Sequence, residues 1–381
     1  MKILYVTTIS LTMNSFFKPH IEMLVNEGHT VDIACNYTDL SLDSFYSELG
    51  CGFHQIDFSR SPISKDNLKA YSQLKKVIEN GSYDIVHCHT PNASVITRLV
   101  CKKLRKKSGL KVFYTAHGFH FYKGAPKLNW MVFYPVEKYC SRFTDKLITI
   151  NQEDYELAKT KFKAREVLYV PGVGLDLTRF ENVSVDKNAK RQDIGVPEDA
   201  FLLLSVGELN DNKNHETVIK AVARLGDESV HYAIAGVGDK KDHLLELAHK
   251  LGVSEQLHLL GYRKDIPELN TVADAFCFPS IREGLGLAAI EAMACGLAVI
   301  AAENRGTRTF LQNGNNGLLC PHDSPESFAD AINQVMSDKA LRKNFVNEGK
   351  ITVRDFSVEN VLNVMRTIYS DRADTKQKTT A

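Results

Sequence analysis

Short β-rich hydrophobic runs alternate along this chain with segments whose apolar residues recur at helical spacing. Several runs are apolar almost throughout, as is typical of parallel strands that helices cover on both faces. The strand candidates are KILYV, TVDIA, YDIVHCH, KVFYTA, KLITI and EVLYV in the first half, then FLLLSVG, VHYAIAG, LHLLG, DAFCFP, LAVIAA and GLLC. The alternation predicts an α/β protein with enough strands for two parallel sheets.

The connecting segments suggest where helices and domains end. One helix candidate, SFFKPHIEMLVNEG, is expected to end at Gly28 because glycine commonly stops a helix. The Pro- and Gly-containing segment VPGVGLDLTRF (170–180) marks a domain boundary. We predict two Rossmann-like domains facing each other across a cleft, residues 1–171 and 172–355. A helix at about 356–370 could pack back on the first domain, and the polar segment 371–381 is expected to be disordered.

The composition narrows the class of protein. The chain has 381 residues, of which 44% are hydrophobic and 24% are charged, as in a globular protein of two domains. It has no run of 18 apolar residues, so we expect no transmembrane helix, and its start does not resemble a signal peptide. The eight cysteines form no C-x-x-C pair, and we therefore expect a reduced, cytoplasmic setting.

The net charge of +1 hides an asymmetry between the halves. Residues 1–175 contain 23 Lys and Arg against 16 Asp and Glu, a balance of +7, which leaves −6 for the rest. A basic run, RLVCKKLRKKSGLK (98–111), precedes an aromatic-rich segment (119–143) that holds the only tryptophan. We interpret this pairing as a peripheral contact with an anionic membrane surface. Alternatively, the aromatic residues form core and the lysines are solvated; no reader motif supports nucleic-acid binding.

The second half carries the candidate chemistry in three strand–loop–helix segments. Lys213 lies in the loop after FLLLSVG and could reach a phosphate, although a lone loop lysine is more typical of solvated surface. The third segment, REGLGLAAIEAMACG, breaks a loop with glycines before a helix that should begin near Leu287. Such a helix start favours a phosphate, and Glu291 one turn later could accept hydrogen bonds from a ribose. Glu291 alone could equally well complement the helix dipole.

These motifs together resemble those of the retaining GT-B glycosyltransferases with the signature E-x(7)-E, glycosyltransferase family 4. The signature is Glu283 to Glu291, within the frame E-G-x-G-x-x-x-x-E-A-M-A-C-G. The resemblance extends over nearly the whole chain through V-P-G-V-G-L-D, S-V-G and A-G-V-G-D. The segment TAHGFHFYKGAPKLNWMVFYPVEKY (115–139) is similar to the bacterial exopolysaccharide and capsule branch of this family.

The resemblance implies a transferase that takes a UDP-sugar as donor and retains the anomeric configuration. It assigns catalytic roles to Glu283 at the donor sugar, Lys213 at the diphosphate and His117 approaching from the other domain, where a hydrogen-bonded structural role is the alternative. We expect the nucleotide to contact Glu291, Gly284, Leu285, Gly286, Leu287, Gly207, Gly236 and Arg305. The implied acceptor is a polyprenyl-diphosphate-linked glycan. With no D-x-D triplet and no His/Cys cluster, we expect no metal and no cofactor.

One position departs from the family pattern. Glu208 stands where the family usually has an arginine, and its carboxylate would repel a diphosphate. We expect Glu208 to point away, or Arg305 or Arg308 to supply the missing positive charge. Two other functions stay open at this point: a non-hydrolysing UDP-sugar epimerase, and a non-catalytic protein that binds nucleotide sugars.

Overall fold

The computed structural model describes residues 1–181 and 183–370, and these residues form two compact units. The first unit consists of Met1–Gly174 and the helix that starts at Val358, and the second consists of Leu175–Ser357. The chain therefore passes from the first unit to the second near 174 rather than 171, and leaves it near 357 rather than 355. The segment 371–381, for which we predicted disorder, lies outside the described residues.

The first unit is built on a seven-stranded sheet in which every neighbouring pair of strands is parallel. The order is β3-β2-β1-β4-β5-β6-β7. The strands are β1 (Lys2–Ile9), β2 (Thr30–Asn36), β3 (Gly52–Gln55), β4 (Ile85–His89), β5 (Lys111–Ala116), β6 (Lys146–Thr149) and β7 (Glu166–Tyr169). The sequence analysis missed β3, since this half-buried strand has no apolar run.

Seven helices of the first unit connect these strands. They are α1 (Ser10–Phe16), α2 (Lys18–Asn26), α3 (Ser44–Glu48), α4 (Asp66–Gly81), α5 (Pro91–Ser108), α6 (Lys127–Cys140) and α7 (Gln152–Lys161). The prediction of a single helix up to Gly28 was wrong in detail. The helix ends at Phe16 and a second one begins at Lys18, because Pro19 has no N–H to donate to the preceding turn. Gly28 lies two residues beyond the end of α2, in a left-handed conformation with φ of +78°.

The core of the first unit lies on both faces of its sheet. Alternate residues of β1 enter different hydrophobic clusters, Leu4 and Val6 on one face and Ile3 and Tyr5 on the other. Because successive side chains of a strand point to opposite faces, burial of all four requires helices above and below the sheet. This arrangement explains the nearly continuous apolar runs in the sequence.

The second unit repeats the design with a six-stranded parallel sheet of order β10-β9-β8-β11-β12-β13. Its strands are β8 (Phe201–Val206), β9 (Val230–Ala235), β10 (Leu257–Gly261), β11 (Ala275–Phe278), β12 (Ala298–Ala302) and β13 (Leu318–Cys320). Its helices are α8 (Lys187–Asp193), α9 (His215–Leu225), α10 (Lys241–Leu251), α11 (Ile266–Val272), α12 (Leu287–Ala294), α13 (Thr307–Phe310), α14 (Pro325–Ser337) and α15 (Lys339–Thr352).

The last described helix, α16 (Val358–Ser370), belongs to the first unit. Its buried residues include Val361, Met365 and Tyr369, which join the cluster containing Ile3 and Tyr5. The Tyr369 hydroxyl lies 2.5 Å from Nδ1 of His87 in β4. The C-terminal helix therefore packs on the first sheet.

The order of strands reverses between β8 and β11 in the second sheet, where Leu204 pairs with Phe276. In open parallel sheets, ligands bind beyond the carboxyl ends of the strands at such a reversal. We therefore expect the loops that follow β8 and β11 to form the ligand site of this unit.

Candidate active site

The loops after β8 and β11 meet through an ion pair between two predicted site residues. Nζ of Lys213 lies 2.7 Å from Oε1 of Glu283, and both side chains are mostly buried. Backbone contacts hold the loops together, since the Ile281 N–H donates to the Asn212 carbonyl at 2.8 Å. The Asn212 amide in turn donates to the Arg282 carbonyl at 3.1 Å. The fold thus fixes Lys213 beside Glu283, although 69 residues separate them in the chain.

Two predicted glycines allow this close approach of backbone segments. A Cβ atom on Gly207 would lie 3.2 Å from Cδ and Cε of Lys213, and one on Gly236 would lie 1.8 Å from the Gly207 carbonyl oxygen. Only glycine fits at position 236 without displacement of the chain. The G-x-G turn therefore has a packing reason of its own, while the contact with a nucleotide that we predicted for both glycines stays a prediction.

The helix α12 begins directly after Gly286, which has φ of +104°. A side chain there would be strained, and its Cβ would lie 3.0 Å from the Phe278 ring. The preceding Leu285 is buried, and Leu287 is the first helical residue, as expected. Since the first N–H groups of a helix have no acceptor within it, this turn is a place where an anion can bind.

Arg305 reaches the same place from the loop after β12. Its side chain is buried, and Nε donates to the carbonyl oxygen of Glu283 at 3.3 Å. A Cβ on the next residue, Gly306, would lie 2.8 Å from that of Glu283, so these loops are in direct contact. Arg308, the other candidate cation, is half exposed and pairs with Glu303.

Glu208 is exposed, and its carboxylate accepts a hydrogen bond from the Asn210 amide at 2.8 Å. The Glu208 carboxylate therefore contacts Asn210, three residues before Lys213. Of the two cations proposed to offset Glu208, Arg305 is the one that contacts Glu283.

Glu291 in α12 lines a pocket of about 380 Å³. The pocket brings together residues that are remote in sequence: Arg179, Phe180, Tyr262, Arg263, Lys264, Ile266 and Pro267. Burial raises the pKa of the Glu291 carboxyl to about 7, although the positive charge of Arg179 acts in the opposite direction. The carboxyl can therefore change its charge near neutral pH. We name this space the Glu291 pocket.

Sequence reasoning missed the pocket residues Arg179 and Tyr262. Arg179 belongs to a 3₁₀ turn (Leu177–Arg179) directly after the domain boundary, and Tyr262 follows β10. For Tyr262 the available signal was its position directly after a parallel strand, the end at which ligands bind, although this does not single out the Glu291 pocket. Arg179 has no such signal. The Tyr262 side chain is 73% exposed, which is unusual for a large aromatic residue and leaves its ring accessible.

His117 lies in the first unit, directly after β5. Its Nε2 is 3.2 Å from Nδ1 of His89, a residue that the sequence analysis did not consider. Burial, followed by the influence of His20, lowers the pKa of His117 to about 4. His117 is therefore a neutral imidazole at neutral pH. His89 could have been suspected because it ends the strand β4, which neighbours β5.

Among residues 1–181 and 183–370, no three His, Cys, Asp or Glu side chains are grouped so that they could hold a metal ion. Over the same ranges, no helix has both the length and the apolar character needed to cross a bilayer.

Comparison with known proteins accounts for this arrangement. The family described as glycosyl transferases group 1 matches residues 186–352, and the family described as glycosyl transferase 4-like matches residues 2–151. Over its whole length the chain is 40% identical to EpsD of Bacillus subtilis (strain 168), which is described as a glycosyltransferase; 99% of each chain is covered. The chain belongs to the group 1 glycosyltransferases.

Other relatives support the fold of this glycosyltransferase. It is 26% identical to the Escherichia coli UDP-Gal:alpha-D-GlcNAc-diphosphoundecaprenol alpha-1,3-galactosyltransferase, with 92% and 91% of the two chains covered. It superposes on Anabaena HepE in complex with UDP-glucose at a TM-score of 0.78 and 19% identity, over 97% of this chain and all of the other. It superposes on sucrose-phosphate synthase from Thermosynechococcus elongatus at a TM-score of 0.80 and 20% identity, over 98% of this chain and all of the other. The glycosyltransferase has the GT-B fold.

Proposed function

We propose that this glycosyltransferase moves a sugar, an N-acetylhexosamine or a hexose, from a UDP-sugar to a polyprenyl-diphosphate-linked glycan, with the anomeric configuration retained. The reaction belongs to the biosynthesis of an exopolysaccharide, a capsule or an O-antigen. The observation that carries the proposal is the meeting of Lys213, Glu283 and Arg305 just before α12, the helix whose Glu291 lines the pocket.

The nucleoside binds in the Glu291 pocket in this proposal. The ring of Tyr262 is exposed and offers the base a face for stacking. The Glu291 carboxylate accepts hydrogen bonds from the ribose hydroxyls. A volume of about 380 Å³ suits a ligand of this size.

The diphosphate binds between the pocket and the ion pair. The N–H groups in the first turn of α12 and the Lys213 ammonium are the donors, with Arg305 as a further cation nearby. These charges stabilise the negative charge that develops on the leaving UDP without a divalent ion. The enzyme is thus metal-independent in this proposal and takes no cofactor.

Transfer then proceeds on one face of the donor sugar, held by its hydroxyls against Glu283. The bond from the anomeric carbon to the UDP oxygen breaks as the acceptor oxygen bonds to the same carbon from the same side. The proton of the acceptor hydroxyl passes to the leaving phosphate oxygen. His117 of the first unit stays a predicted catalytic residue, and its imidazole is neutral.

The choice of acceptor rests on one relative and one segment of the sequence. The name of the Escherichia coli enzyme specifies a diphosphoundecaprenol-linked sugar as its acceptor. The segment 115–139 resembles the exopolysaccharide and capsule branch of the family. A lipid-linked acceptor places the enzyme at the inner face of the cytoplasmic membrane.

Release of UDP in the presence and absence of acceptor tests the proposal. The purified protein is given a panel of UDP-sugars with a polyprenyl-diphosphate-linked monosaccharide. We expect UDP release that requires acceptor and persists in EDTA, and an NMR spectrum in which the product has the anomeric configuration of the donor. An isomerised UDP-sugar formed without acceptor would identify an epimerase instead. Binding without turnover on any acceptor would identify a non-catalytic protein.

A further inference from the structure

The outward side of α6 is apolar although it faces solvent. Five of its side chains are between 41% and 73% exposed: Leu128, Met131, Val132, Val136 and Tyr139. They recur at spacings of three or four residues, so they form one stripe along a helix of 14 residues, about 21 Å long. We call these five residues the docking face.

The opposite side of α6 is held firmly in the first unit. Glu137 is buried and makes two hydrogen bonds, of 2.8 and 3.1 Å, with the guanidinium of Arg98 in α5. Arg98 is fully buried and lies over the Tyr114 ring at 4.1 Å. This ion pair fixes the rotation of α6 about its axis, because a turn of the helix would leave two buried charges unpaired. The exposure of the docking face is therefore a fixed property of the fold.

The sequence left open whether the aromatic residues of this segment face a membrane or form core. Trp130, Phe133 and Tyr134 turn inward and pack on the cluster that contains Phe121. Their large apolar surfaces gain more from burial than the smaller side chains that point outward. The alternative, that the aromatic residues are core, holds for these three residues.

The segment that contains the docking face is strongly basic. Residues 98–146 contain 12 Lys and Arg but only two acidic residues, Glu137 and Asp145. Both acids are already paired, Glu137 with Arg98 and Asp145 with Arg105. Nζ of Lys102 donates to the Tyr139 hydroxyl at 2.7 Å, which joins the basic end of α5 to the docking face.

We propose that this surface binds an anionic lipid membrane. The five apolar side chains enter the boundary between headgroups and acyl chains, and the lysines of α5 and α6 contact lipid phosphates. Neither contribution alone gives firm binding, but an apolar stripe and a basic cluster on one surface supply both. The surface would bring a lipid-linked acceptor within reach; that consequence, unlike the binding itself, rests on the proposed function.

The charge favours a membrane over a protein as the occupant. A second copy of this chain would bring the same basic cluster against itself, and such like-charge contacts are unfavourable. Lysine is also depleted in protein–protein interfaces, whereas it is the residue expected at an anionic lipid surface.

Co-sedimentation of the full chain with vesicles tests the proposal. One vesicle preparation is pure phosphatidylcholine and the other contains phosphatidylglycerol in addition. We expect pelleting with the anionic vesicles at low salt, weaker binding at high salt because the charges are screened, and little with the neutral vesicles. Equal binding to both preparations would overturn the proposal.

Two triple variants separate the two contributions. The apolar variant is Leu128→Gln, Met131→Gln and Val136→Gln, and the charge variant is Lys103→Gln, Lys106→Gln and Lys107→Gln. Arg105 is left unchanged because its loss would leave the carboxylate of Asp145 unpaired. We expect partitioning to fall about 100-fold in the charge variant and at least about tenfold in the apolar variant.

Matched variants on the second unit control for general loss of charge or apolar surface. They replace exposed residues of the same types: Lys241, Lys339 and Lys343 in one protein, and Leu245, Leu251 and Ile351 in the other. These controls should pellet like the unmodified protein, and all variants should keep its thermal midpoint in circular dichroism. If either docking variant pellets as well as its control, this surface is not the membrane contact.

A second copy of this chain is the other possible occupant of the docking face, and sedimentation velocity tests for it. Sedimentation velocity that shows a dimer, lost in the apolar variant, together with no vesicle binding, would assign the face to a second copy instead. Loss of UDP binding or of transfer with vesicle binding intact would refute the proposed function and leave this inference standing.

Discussion

Nζ of Lys213 and Oε1 of Glu283 lie 2.7 Å apart, so the cation proposed to hold the diphosphate already has a carboxylate partner within the protein. A diphosphate that binds Lys213 must compete with that carboxylate or share the ammonium with it. The two residues assigned to separate substrate groups are therefore coupled, and substitution of one changes what the other can bind.

This coupling predicts opposite effects on UDP binding. Glu283→Gln removes the competing charge, so we expect UDP to bind as well as before or up to about tenfold more tightly, while transfer falls. Lys213→Ala should weaken UDP binding by the worth of a charged hydrogen bond, about 1.5–3 kcal/mol. Calorimetry with UDP measures both values. Equal losses of UDP affinity in the two variants would contradict the assignment.

The pKa of Glu291 predicts a pH dependence of nucleoside binding. The pKa is raised to about 7, so below that pH the carboxyl is protonated and has lost its charge as an acceptor for the ribose hydroxyls. Affinity for the nucleoside should therefore rise with pH, by about tenfold between pH 6 and pH 8. Uridine is the suitable ligand, because it has no phosphate that titrates in this range.

Glu291→Gln is the matched control for this prediction. It keeps the shape of the side chain but cannot ionise, so its uridine affinity should be low and nearly independent of pH over the same range. A variant that retains the full pH dependence would show that another group titrates.

Glu208 stands where the family usually has an arginine, and variants of Arg305 and Arg308 test which of them supplies the missing positive charge. Arg305 contacts the Glu283 carbonyl, whereas Arg308 pairs with Glu303 near the surface. We expect Arg305→Gln to weaken UDP binding about tenfold or more and to change uridine binding little, because only UDP carries the diphosphate. Arg308→Gln should change neither. If Arg305→Gln weakens both ligands equally, its role is structural.

The histidines of the first unit predict a loss of stability in acid. Burial lowers the pKa of His20, His87, His89 and His117 in the folded state, to about 4 for His117. The unfolded chain therefore binds more protons than the folded one between about pH 6.5 and pH 4, and stability falls as the pH falls through this window. Each such histidine adds a slope of about 1.36 kcal/mol per pH unit.

Trp130 reports this transition, because the only tryptophan of the chain lies in the first unit. Urea unfolding followed by its fluorescence should give a free energy that decreases toward acid. His117→Asn should reduce the slope of this free energy against pH by the contribution of one proton, about 1.36 kcal/mol per pH unit. An unchanged slope would mean that His117 titrates normally in the folded protein.

Much of the fold could be predicted because buried parallel strands appear in the sequence as nearly continuous apolar runs. β8, β9 and β11 are apolar apart from Ser205 and His231, and the start of α12 at Leu287 was marked by Gly286. The break at Phe17 was less visible, since apolar residues continue through it and Pro19 is equally acceptable in the first turn of a new helix.

The candidate-site residues that share one motif were the simplest to place from the sequence. Glu283 and Glu291 are eight positions apart on a loop and the helix that follows it, so their proximity is local. Arg179 and Tyr262 reach the Glu291 pocket from segments far away in the chain, through tertiary packing that no local pattern encodes. The orientation of α6 was equally hidden, because it depends on the buried contact of Glu137 with Arg98 in α5.

The return of α16 to the first unit sets the order in which the two units can be completed during translation. Residues 1–174 leave the ribosome first, but their core lacks Val361, Met365 and Tyr369 until the last helix has emerged. The second unit, continuous from 175 to 357, has all of its residues before then. The first unit is thus the first to begin synthesis and the last to be completed. Until α16 has been made, part of its sheet stays uncovered and is prone to aggregation.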